Sequence, residues 1–559
     1  MRSRWCVWVG IGCAVAAQGT TAQTALLSLL RQELERNFAV LRQQPQPAYY
    51  IGYQVAQLQT TVLEAQAGKL RRSAQQHSRW LDVDVRVGSY ELDNTRPLQE
   101  AWSFVDRSGA VQLPLGDDAQ ALRHLLWQAT ADAYERAAER YAKVIASRSV
   151  RVQEGDSIPD FSREPPQRRQ RLVPPLRLDT SLWAQRLREL SAAFVPHPWI
   201  YSHRLTLQAT SVQKFLVNSE GTELAWGENS IFLTIAAQTR ADDGMELPLY
   251  RTYFAFRPEE LPSPDSIRAD IESMIELLHR LRKAPVLETY SGPAILSGEA
   301  AGVFFHEILG HRVEGHRQKD PQSAQMLRDL LGKQILPPFL DVVFDPTRRY
   351  RDGIPLAGSY EFDDEGVPAQ RVVVVERGIL RNFLMNRTPI AEFRRSNGHG
   401  RRQPGTQVVA RQSNLLVVAH QSLSPQELRE RLREECRRQG KEFGLLFKVV
   451  EGGFTFTTRT IPNAFNVMPL VVYRVYVDGR PDELVRGVDL IGTPLTTFAN
   501  IIAAGSDIGV FNGLCGAESG NIPVSASSPS LLVSRIEVQK KAKSDERLPI
   551  LPPPSVQSP

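Results

Sequence analysis

The chain has 559 residues, of which 42% are hydrophobic and 23% charged, the proportions of a folded soluble protein. A chain of this length is expected to form about two or three domains. Its net charge of +5 is small, and no basic face with interleaved aromatic residues stands out, which argues against nucleic-acid binding.

The N-terminal residues have the pattern of a secretory signal peptide. Two arginines precede a short apolar run, residues 5–17, which small residues follow. The run is too short to cross a membrane as a helix. We therefore expect residues 1–22 to be removed and the protein to be exported, to the periplasm or the extracellular space. Cleavage after Ala17 and cleavage after Ala22 both fit the pattern.

Residues 23–285 alternate helical and strand patterns and are expected to form an α+β domain. The helical patterns cover 24–38, 117–147 and 263–283, and the strand patterns cover 49–63, 80–90, 200–216, 231–239 and 251–256. The last helix has the clearest start, because Ser263 is a good N-cap and Pro264 suits the first turn. Residues 155–178, rich in Pro and Arg, are typical of a linker. We place a domain boundary near residue 285.

Residues 286–540 become strand-rich and are expected to form a second domain. Their β-branched segments are 372–376, 407–418, 446–457 and 467–477. One helix interrupts them and starts with a capping box of Ser424 and Glu427. The last residues, 541–559, are charged and then Pro-rich, a composition typical of disorder. The predicted fold class is α+β, with a mixed α/β N-terminal domain followed by a mainly β C-terminal domain.

One stretch of the second domain has the pattern of a metal site. Residues 306–311 are His-Glu-Ile-Leu-Gly-His. Two neutral imidazoles can bind a zinc ion, and an intervening carboxylate can take the proton of the attacking water. A third protein ligand would complete a tetrahedral site with one open position. The sequence therefore predicts that the C-terminal domain carries a catalytic zinc site, with His306 and His311 as ligands and Glu307 as general base.

The spacing of the two histidines is unusual for such a site. They are five residues apart, which on a regular α-helix points them roughly 140° away from each other. Both can reach one ion only if the helix is locally wider or broken, and a π-type turn would restore the alignment. Gly310 lowers the cost of such a distortion. The alternative is a helix with two unrelated histidines, one packed and one solvated.

His316 repeats the five-residue interval and is a further candidate ligand. Gly315 is expected to turn the chain away before it. Removal of the signal peptide would leave only two cysteines, Cys436 and Cys515. They could pair once, or one of them could bind a metal.

In several motifs the sequence resembles the TldD/PmbA family of zinc metallopeptidases, and specifically its TldD-like, catalytic members. The family carries a His-Glu-x-x-x-His motif and a third zinc ligand, a cysteine, in a distant Gly-rich segment. The resemblance is clear over residues 286–540 and present only in outline over 24–285. The matching motifs are 290–293, 306–315, 362–368, 413–415, 487–494 and 512–516.

Carried over to this sequence, the resemblance implies that His306, His311 and Cys515 bind Zn²⁺ and that Glu307 is the general base. Glycines on either side of Cys515 would let the backbone approach the metal, which strongly stabilises a thiolate. Without the resemblance, Cys515 could be a buried free thiol. A disulfide with Cys436 would destroy the site and is not expected, because Cys436 lies on a charged helix.

The resemblance also implies a substrate and an assembly. The substrate would be an unfolded protein or a small peptide that reaches an enclosed site. The assembly would be a homodimer or a heterodimer with a related chain. Export sets this chain apart from the familiar cytoplasmic members and changes the substrates within its reach. His316 and the pair Ala517-Glu518 also depart from the residues common in the family.

Three further groups have both a functional and a structural interpretation. Glu314 could orient a metal-binding histidine or be a solvated carboxylate. The acidic run 363–365 could bind calcium, although the Gly and Pro that follow it favour a hairpin turn. Arg401, Arg402 and Asn414 could hold the backbone or a carboxylate of a substrate.

Two other functions are compatible with the sequence. Cys515 could be a nucleophile activated by a histidine, as in a thiol peptidase. The chain could also be an exported binding or assembly protein with a vestigial site. Nothing in the sequence assigns the substrate-binding residues.

Overall fold

The protein, seen in a computed structural model, is described over residues 10–98, 109–150, 157–319, 327–455, 465–492 and 494–541. Within these ranges it forms two large β-sheets with helices packed against them. This arrangement confirms the predicted α+β class, including the mainly β second half.

The first seven strands form the N-terminal sheet. They are β1 (Ala48–Gln66), β2 (Lys69–Val87), β3 (Val111–Leu113), β4 (Arg168–Arg171), β5 (Ser202–Asn218), β6 (Glu223–Arg240) and β7 (Glu246–Ala255). Their order is β3-β2-β1-β5-β6-β4, with β7 also on β6. Only β4 pairs in parallel, with β6. The predicted linker, residues 155–178, therefore contains a short edge strand.

The hairpin of β1 and β2 is longer than its sequence pattern indicates. The predicted alternation is confirmed where Leu81, Val85 and Val87 are buried. The strand nevertheless begins at Lys69, because the polar residues 69–79 pair with β1 on the far side of a tight turn. Both turn residues, Ala67 and Gly68, have positive φ (48° and 73°), as a two-residue turn between twisted strands requires.

Four helices pack on this sheet: α1 (Gly10–Leu41), α2 (Ala119–Val150), α3 (Thr180–Ser191) and α4 (Pro264–Lys283). One core cluster includes α1 and α2, and another includes α3 and α4. The Ser263 side chain caps α4 by accepting a bond from Ser266 N, as predicted. The described helices include none that is long and apolar enough to cross a membrane. Residues 1–9 of the predicted signal peptide lie outside the described ranges.

The second sheet has eleven strands. The strands of the C-terminal half are β8 (Tyr290–Leu296), β9 (Leu340–Phe344), β10 (Tyr350–Arg351), β11 (Ile354–Pro355), β12 (Val372–Glu376), β13 (Ile379–Leu380), β14 (Gly400–Arg401), β15 (Val409–Ala410), β16 (Asn414–Ala419), β17 (Phe443–Thr455), β18 (Phe465–Tyr476), β19 (Glu483–Val485), β20 (Val488–Gly492), β21 (Ile501–Ala517) and β22 (Gly520–Lys540).

The order of the second sheet brings its last strand to its centre. It runs β13-β12-β9-β16-β22-β20-β18-β17-β8, with β19 on β18 and β21 on β22. Because β22 also pairs with β8, the strands β8, β17, β18, β20 and β22 close into a ring. β10 pairs with β11, and β14 with β15, outside this sheet.

Four helices belong to this half: α5 (Gly298–Ile308), α6 (His316–Lys319), α7 (Pro425–Arg438) and α8 (Pro494–Ala499). The predicted capping box of Ser424 and Glu427 is confirmed at the start of α7. Val471 and Leu484 of this half pack into the core around α3 and α4. The boundary near residue 285 stays a prediction, and residues 542–559 of the predicted tail lie outside the described ranges.

Candidate metal centre

Helix α5 carries the first two site residues into the core. Ser297 caps it by accepting a bond from Ala300 N. Apart from Glu299, all of its eleven residues are buried. Phe304 and Phe305 anchor the helix in the main core cluster of the second half. His306 and Glu307 follow in its last turn and are therefore held on a rigid element.

The helix breaks between the two histidines. α5 ends at Ile308, and His311 lies in a 3₁₀ turn, Gly310–Arg312. Leu309 N still donates to Phe305 O at 3.0 Å, as in an α-helix, but Arg312 N donates to Leu309 O at 2.9 Å. Of the two distortions that the spacing allows, a wider turn and a break, the structure has the break. Tightening the chain, not widening it, brings the two imidazoles together, with ring centroids 5.0 Å apart.

Two contacts hold this break in place. Arg312 Nη1 donates to the carbonyl oxygens of Glu307 and Ile308, at 3.0 and 2.9 Å, and so caps the end of α5. Gln412 Nε2 donates to His306 O at 3.2 Å. A side chain at Gly310 would collide with the Gln412 amide. The glycine is therefore needed for this close approach.

The third site residue comes from a hairpin far along the chain. Cys515 lies on β21 and faces Ile522 on β22, close to the turn of the hairpin, where Ala517 pairs with Gly520. The thiol is buried. Arg411 Nη2 donates to Cys515 O at 2.7 Å and fixes the backbone behind the thiol.

His306, His311 and Cys515 meet in one buried cluster. Their candidate ligand atoms all lie within 4.8 Å of one another, and Cys515 Sγ is 3.5 Å from His311 Nε2. Bonds of about 2.0–2.3 Å at tetrahedral angles place two ligand atoms roughly 3.3–3.8 Å apart. The side chains therefore fit a single tetrahedral ion, and two imidazoles with a thiolate are donors that zinc prefers.

A buried carboxylate supports His311 from behind. Glu314 lies 3.4 Å from His311 Nδ1, and Arg317 Nε donates to it at 2.9 Å. The Arg411 guanidinium is 3.5 Å away. Burial raises the pKa of Glu314, but Arg317, His311 and Arg411 outweigh burial and hold it at about 2. Of the two predicted roles for Glu314, orientation of a histidine is the one that the contacts match.

Glu307 is buried beside the cluster with a free oxygen. Its side chain is 6% exposed, and no described residue forms a hydrogen bond with its Oε2. A buried carboxylate oxygen without a donor is costly to a fold. The observation marks Glu307 as a group that the fold alone does not explain.

The electrostatics of the cluster favour a thiolate. Burial raises the pKa of Cys515, but His306 and His311 hold it well below its ordinary value. For His311, burial lowers the pKa, whereas Cys515 and Glu314 raise it to about 10. The side chains by themselves therefore favour a thiolate beside an imidazolium.

His316 and Cys436 lie elsewhere. His316 Nε2 is 2.7 Å from Glu518 Oε1, and His316 is not part of the cluster. Cys436 is a free thiol buried on α7 among Leu428 and Leu432. It does not pair with Cys515, as expected.

The remaining candidates have structural partners. Arg401 Nη1 donates to Gln412 O and Pro523 O, and Asn414 Nδ2 donates to Asp345 O and Arg348 O. Residues 363–365 form the predicted turn, since Phe362 pairs with Pro368 across it. These contacts give each group a structural role in the fold.

Sequence reasoning missed the polar residues behind the site, Arg411 and Gln412. A signal for them exists. Residues 411–414 are four successive polar residues inside a segment whose flanks predict buried strands. All four are buried. Such a run in a core indicates a hydrogen-bond network.

A large cleft lies between the two halves. Its volume is about 1050 Å³, and its lining includes Phe232 and Phe254 from the first half and Arg402, Leu514 and Pro523 from the second. The cluster residues are not part of that lining, although Leu514 is the chain neighbour of Cys515. The cleft therefore reaches the hairpin of Cys515 without opening onto its thiol.

Comparison with known proteins shows what the fold and the second half of the chain are similar to. Residues 289–540 match the model of the PmbA/TldA metallopeptidase C-terminal domain. A metalloprotease of Archaeoglobus fulgidus is 29% identical over 268 residues, which are 48% of this chain and 58% of that protein. A TldD homolog of Haemophilus influenzae, also named a metalloprotease, is 26% identical over 49% of this chain and 54% of its own.

Two further findings complete the comparison. A zinc metalloprotease TldD homolog of Saccharolobus solfataricus is 26% identical over 44% of this chain and 51% of that protein. The chain thus spans about half the length of these curated relatives. TldE from Thermococcus kodakarensis has the same fold, with a TM-score of 0.58 at 11% identity over 93% of this chain and 100% of its own. The domain match thus shows that residues 289–540 are similar to the C-terminal domain of the PmbA/TldA metallopeptidases, and the solved structure shows that the fold is shared.

Proposed function

We propose that this chain is a zinc-dependent peptidase that hydrolyses peptide bonds in unfolded or small peptides. The observation that carries the proposal is the buried cluster of His306, His311 and Cys515, whose ligand atoms lie within 4.8 Å of one another. A zinc ion held there would polarise the scissile carbonyl and activate water for attack. The names of the relatives, metalloproteases, agree with this chemistry.

In this proposal three neighbouring side chains have different roles in catalysis. Glu307 takes a proton from the attacking water with its unpartnered oxygen and passes it to the leaving amine. Glu314 holds the ring of His311 in place through Nδ1, so that Nε2 faces Cys515 Sγ and could bind a metal together with it. Arg312 fixes the end of α5, and with it the position of Glu307.

The burial of the site supports the proposed substrate class. His306, His311 and Cys515 are only 7%, 8% and 6% exposed. A bond within a folded domain cannot reach such a depth, whereas a single extended chain is thin enough to enter. Unfolded segments and small peptides are therefore the substrates that fit.

Two substitutions test the assignment of ligands and base. We expect the purified protein to hold close to one zinc ion per chain and Cys515→Ser to lose most of it. Glu307→Gln should keep the zinc and lose peptidase activity by at least about 100-fold, the usual contribution of a general base. Metal analysis and cleavage of an unfolded protein measure both. Full activity in Glu307→Gln would show that the assigned base is wrong.

A thiol peptidase is a second candidate, and one distance favours it. Cys515 Sγ lies 3.5 Å from His311 Nε2, within reach for a thiolate–imidazolium pair. A chelator separates the two functions. Loss of activity that zinc restores supports the metallopeptidase, whereas sensitivity to thiol alkylation alone supports the thiol peptidase. Absence of zinc and of cleavage would instead favour an exported binding or assembly protein.

Export and dimerisation complete the proposal. The first 22 residues are proposed to be a signal peptide, and N-terminal sequencing of the secreted protein would locate the cleavage site. The functional unit is proposed to be a homodimer or a heterodimer with a related chain, which light scattering of the purified protein would distinguish from a monomer.

A further inference from the structure

One loop of the chain holds the turn of the hairpin that carries Cys515. We refer to this loop, residues 402–406, as the strap. Gln403 N donates to Ser519 O at 2.8 Å, and Gln403 Oε1 accepts a bond from Asn521 N at 3.1 Å. Thr406 Oγ1 donates to Ser519 O at 2.7 Å. The strap therefore contacts the turn itself and the start of β22.

The strap is also fixed to the N-terminal sheet, through Arg402 and Gly405. Arg402 Nε and Nη2 both donate to Gln54 Oε1, at 3.0 and 2.7 Å. Gly405 N donates to Asp82 Oδ1 at 2.9 Å, and Arg402 Nη1 lies 3.6 Å from the same oxygen. Gln54 and Asp82 are cross-strand partners of β1 and β2. Two neighbouring residues of one sheet thus hold the strap at both of its ends.

The two residues that hold the strap, Gln54 and Asp82, are buried. Gln54 is 5% exposed and Asp82 is 3% exposed. Asp364 closes the arrangement, because its carboxylate accepts bonds from Arg402 N at 2.9 Å and from Gln54 Nε2 at 3.1 Å. Hydrogen bonds to buried charged groups are among the stronger ones in proteins. The strap is therefore a rigid link between the two halves.

The hairpin turn needs such a link. Cys515 lies two residues before the end of β21, whose only strand partner in the described sheet is β22. A hairpin tip has few neighbours and opens easily when nothing covers it. Arg411 holds it from within the second half, by bonds to Ser519 Oγ and Gly520 O. The strap adds an attachment to the first half.

We propose that Arg402 and Gln403 are positioning residues for the metal centre, and that the N-terminal sheet keeps Cys515 within reach of His306 and His311 through the strap. The inference rests on the proposed zinc site. It assigns the first half of the chain a part in metal binding, although all three ligands lie in the second half. Loss of a residue that positions a ligand commonly weakens metal binding by about 10- to 100-fold.

The test compares two interdomain arginines of the full-length protein. Arg402→Gln removes the contacts of the guanidinium with Gln54 and Asp82 and keeps the backbone bond from Gly405 to Asp82. Arg486→Gln is the matched control, because Arg486 is equally buried (10% exposed for both side chains) and bridges the halves through Asp243 at 3.0 Å. Zinc affinity is measured by competition with a chelator, and the Cys515–metal bond by the thiolate-to-metal absorption band of the Co²⁺-loaded protein.

We expect Arg402→Gln to lower zinc affinity by about 10- to 100-fold and to weaken or shift the cobalt band, while Arg486→Gln changes neither. Arg402→Lys, which keeps the charge but not the paired donors, should lie between. Gln403→Ala removes one side-chain bond at an exposed residue, and should weaken zinc binding in the same direction even if Arg402→Gln folds poorly.

Two results would overturn the inference. Zinc affinity and a cobalt band equal to wild type in both Arg402→Gln and Gln403→Ala would show that the strap does not position Cys515. An equal loss in Arg486→Gln would show a general effect of loosening the two halves. Failure of the wild-type protein to bind either metal would instead reject the proposed zinc site itself, and the inference with it.

Discussion

Glu314 shows how much of the site depends on one carboxylate outside the cluster. It is completely buried, and it contacts His311, Arg317 and Arg411. Arg411 is also completely buried and reaches back to Cys515 O. Glu314 therefore connects the 3₁₀ turn of His311 with the strand of Cys515, and its charge balances two guanidinium groups.

We expect Glu314→Gln to damage both binding and folding. The uncharged amide removes the carboxylate that faces Arg411 and Arg317, although Arg317 keeps Glu518, and breaking a buried pair costs about 3–5 kcal/mol. It also releases the His311 ring, so zinc affinity should fall about 10- to 100-fold. Urea unfolding and chelator competition measure the two effects.

Glu376 offers the control for this change. It forms an ion pair with Arg381 at 3.4 Å and is 57% exposed. Glu376→Gln should alter the free energy of unfolding by less than about 1 kcal/mol. A similarly small effect of Glu314→Gln would contradict the structural role given to Glu314.

At the residue scale, the candidate metal ligands were easier to predict than the residues that hold them in place. The spacing of His306 and His311 and the Gly-rich segment around Cys515 stand out in the sequence, and the structure brings these three side chains together. Arg411 has no local pattern that ties it to Cys515, because their contact spans 104 residues. Only the fold shows that its charge meets Glu314.

Two glycines let helix α5 lie directly on the hairpin strands. A side chain at Gly298 would collide with the backbone of Gly509 and Ser528. A Cβ at Gly302, one turn further, would lie 2.8 Å from Ala526 O. His306 follows Gly302 by one more turn. The backbone contact therefore sets the distance from the histidines to the strands of Cys515.

Gly302→Ala is expected to push the helix away from β22. Backbone cannot yield as a side chain can, so the free energy of unfolding should fall by about 1–3 kcal/mol. Zinc affinity should fall with it, since His306 moves relative to Cys515. Gly116→Ala is the control, because a Cβ there meets no atom within 4 Å. Unchanged unfolding and zinc binding in Gly302→Ala would contradict this packing.

At the element scale, strong local signals were sufficient to predict where helices start, whereas the histidine spacing was not sufficient to predict how α5 is distorted. The caps at Ser263 and Ser424 predicted the starts of α4 and α7. The five-residue spacing required a distorted helix but left a wide turn and a break equally possible. The structure has a break because Gln412 packs against Gly310, a contact between residues 102 positions apart that spacing cannot reveal.

Across the whole molecule, burial of acidic groups makes stability depend on pH. Burial raises the pKa of Glu365 from 4.5 to about 7, against the opposing charges of Arg387 and Arg86. The pKa of its neighbour Asp363 is raised as well, by burial and by the charge of Glu365. Asp84 adds a further raising effect. The folded protein thus holds a proton at Glu365 that the unfolded chain has lost.

Replacing the Glu365 carboxyl should make the free energy of unfolding depend less on pH. Because the folded-state pKa is the higher one, the Glu365 carboxyl lowers stability as the pH rises from about 4.5 to about 7. Glu365→Gln cannot ionise, so it should gain stability relative to wild type between about pH 5 and about pH 8. Urea unfolding at both values measures the gain. Glu537→Gln, at an exposed ion pair, should show none.

The architecture was predictable only as a class. Alternation and helical periodicity predicted the α+β class and a mainly β second half, and the structure confirms both. The ring of the second sheet was not predictable, because it depends on β22 pairing with both β8 and β20. A strand of 21 residues with apolar side chains on both faces carries no local record of its four partners, β8, β16, β20 and β21.

The distance in sequence between the candidate metal ligands has a consequence for the synthesis of the protein. His311 and Cys515 are 204 positions apart, and a ribosome makes the histidines long before the cysteine. A nascent chain thus carries two donors of three until almost all of it has been synthesised. If the chain is the peptidase proposed above, its three metal ligands cannot come together before residue 515 has been made. The proposed activity would therefore be absent during most of synthesis.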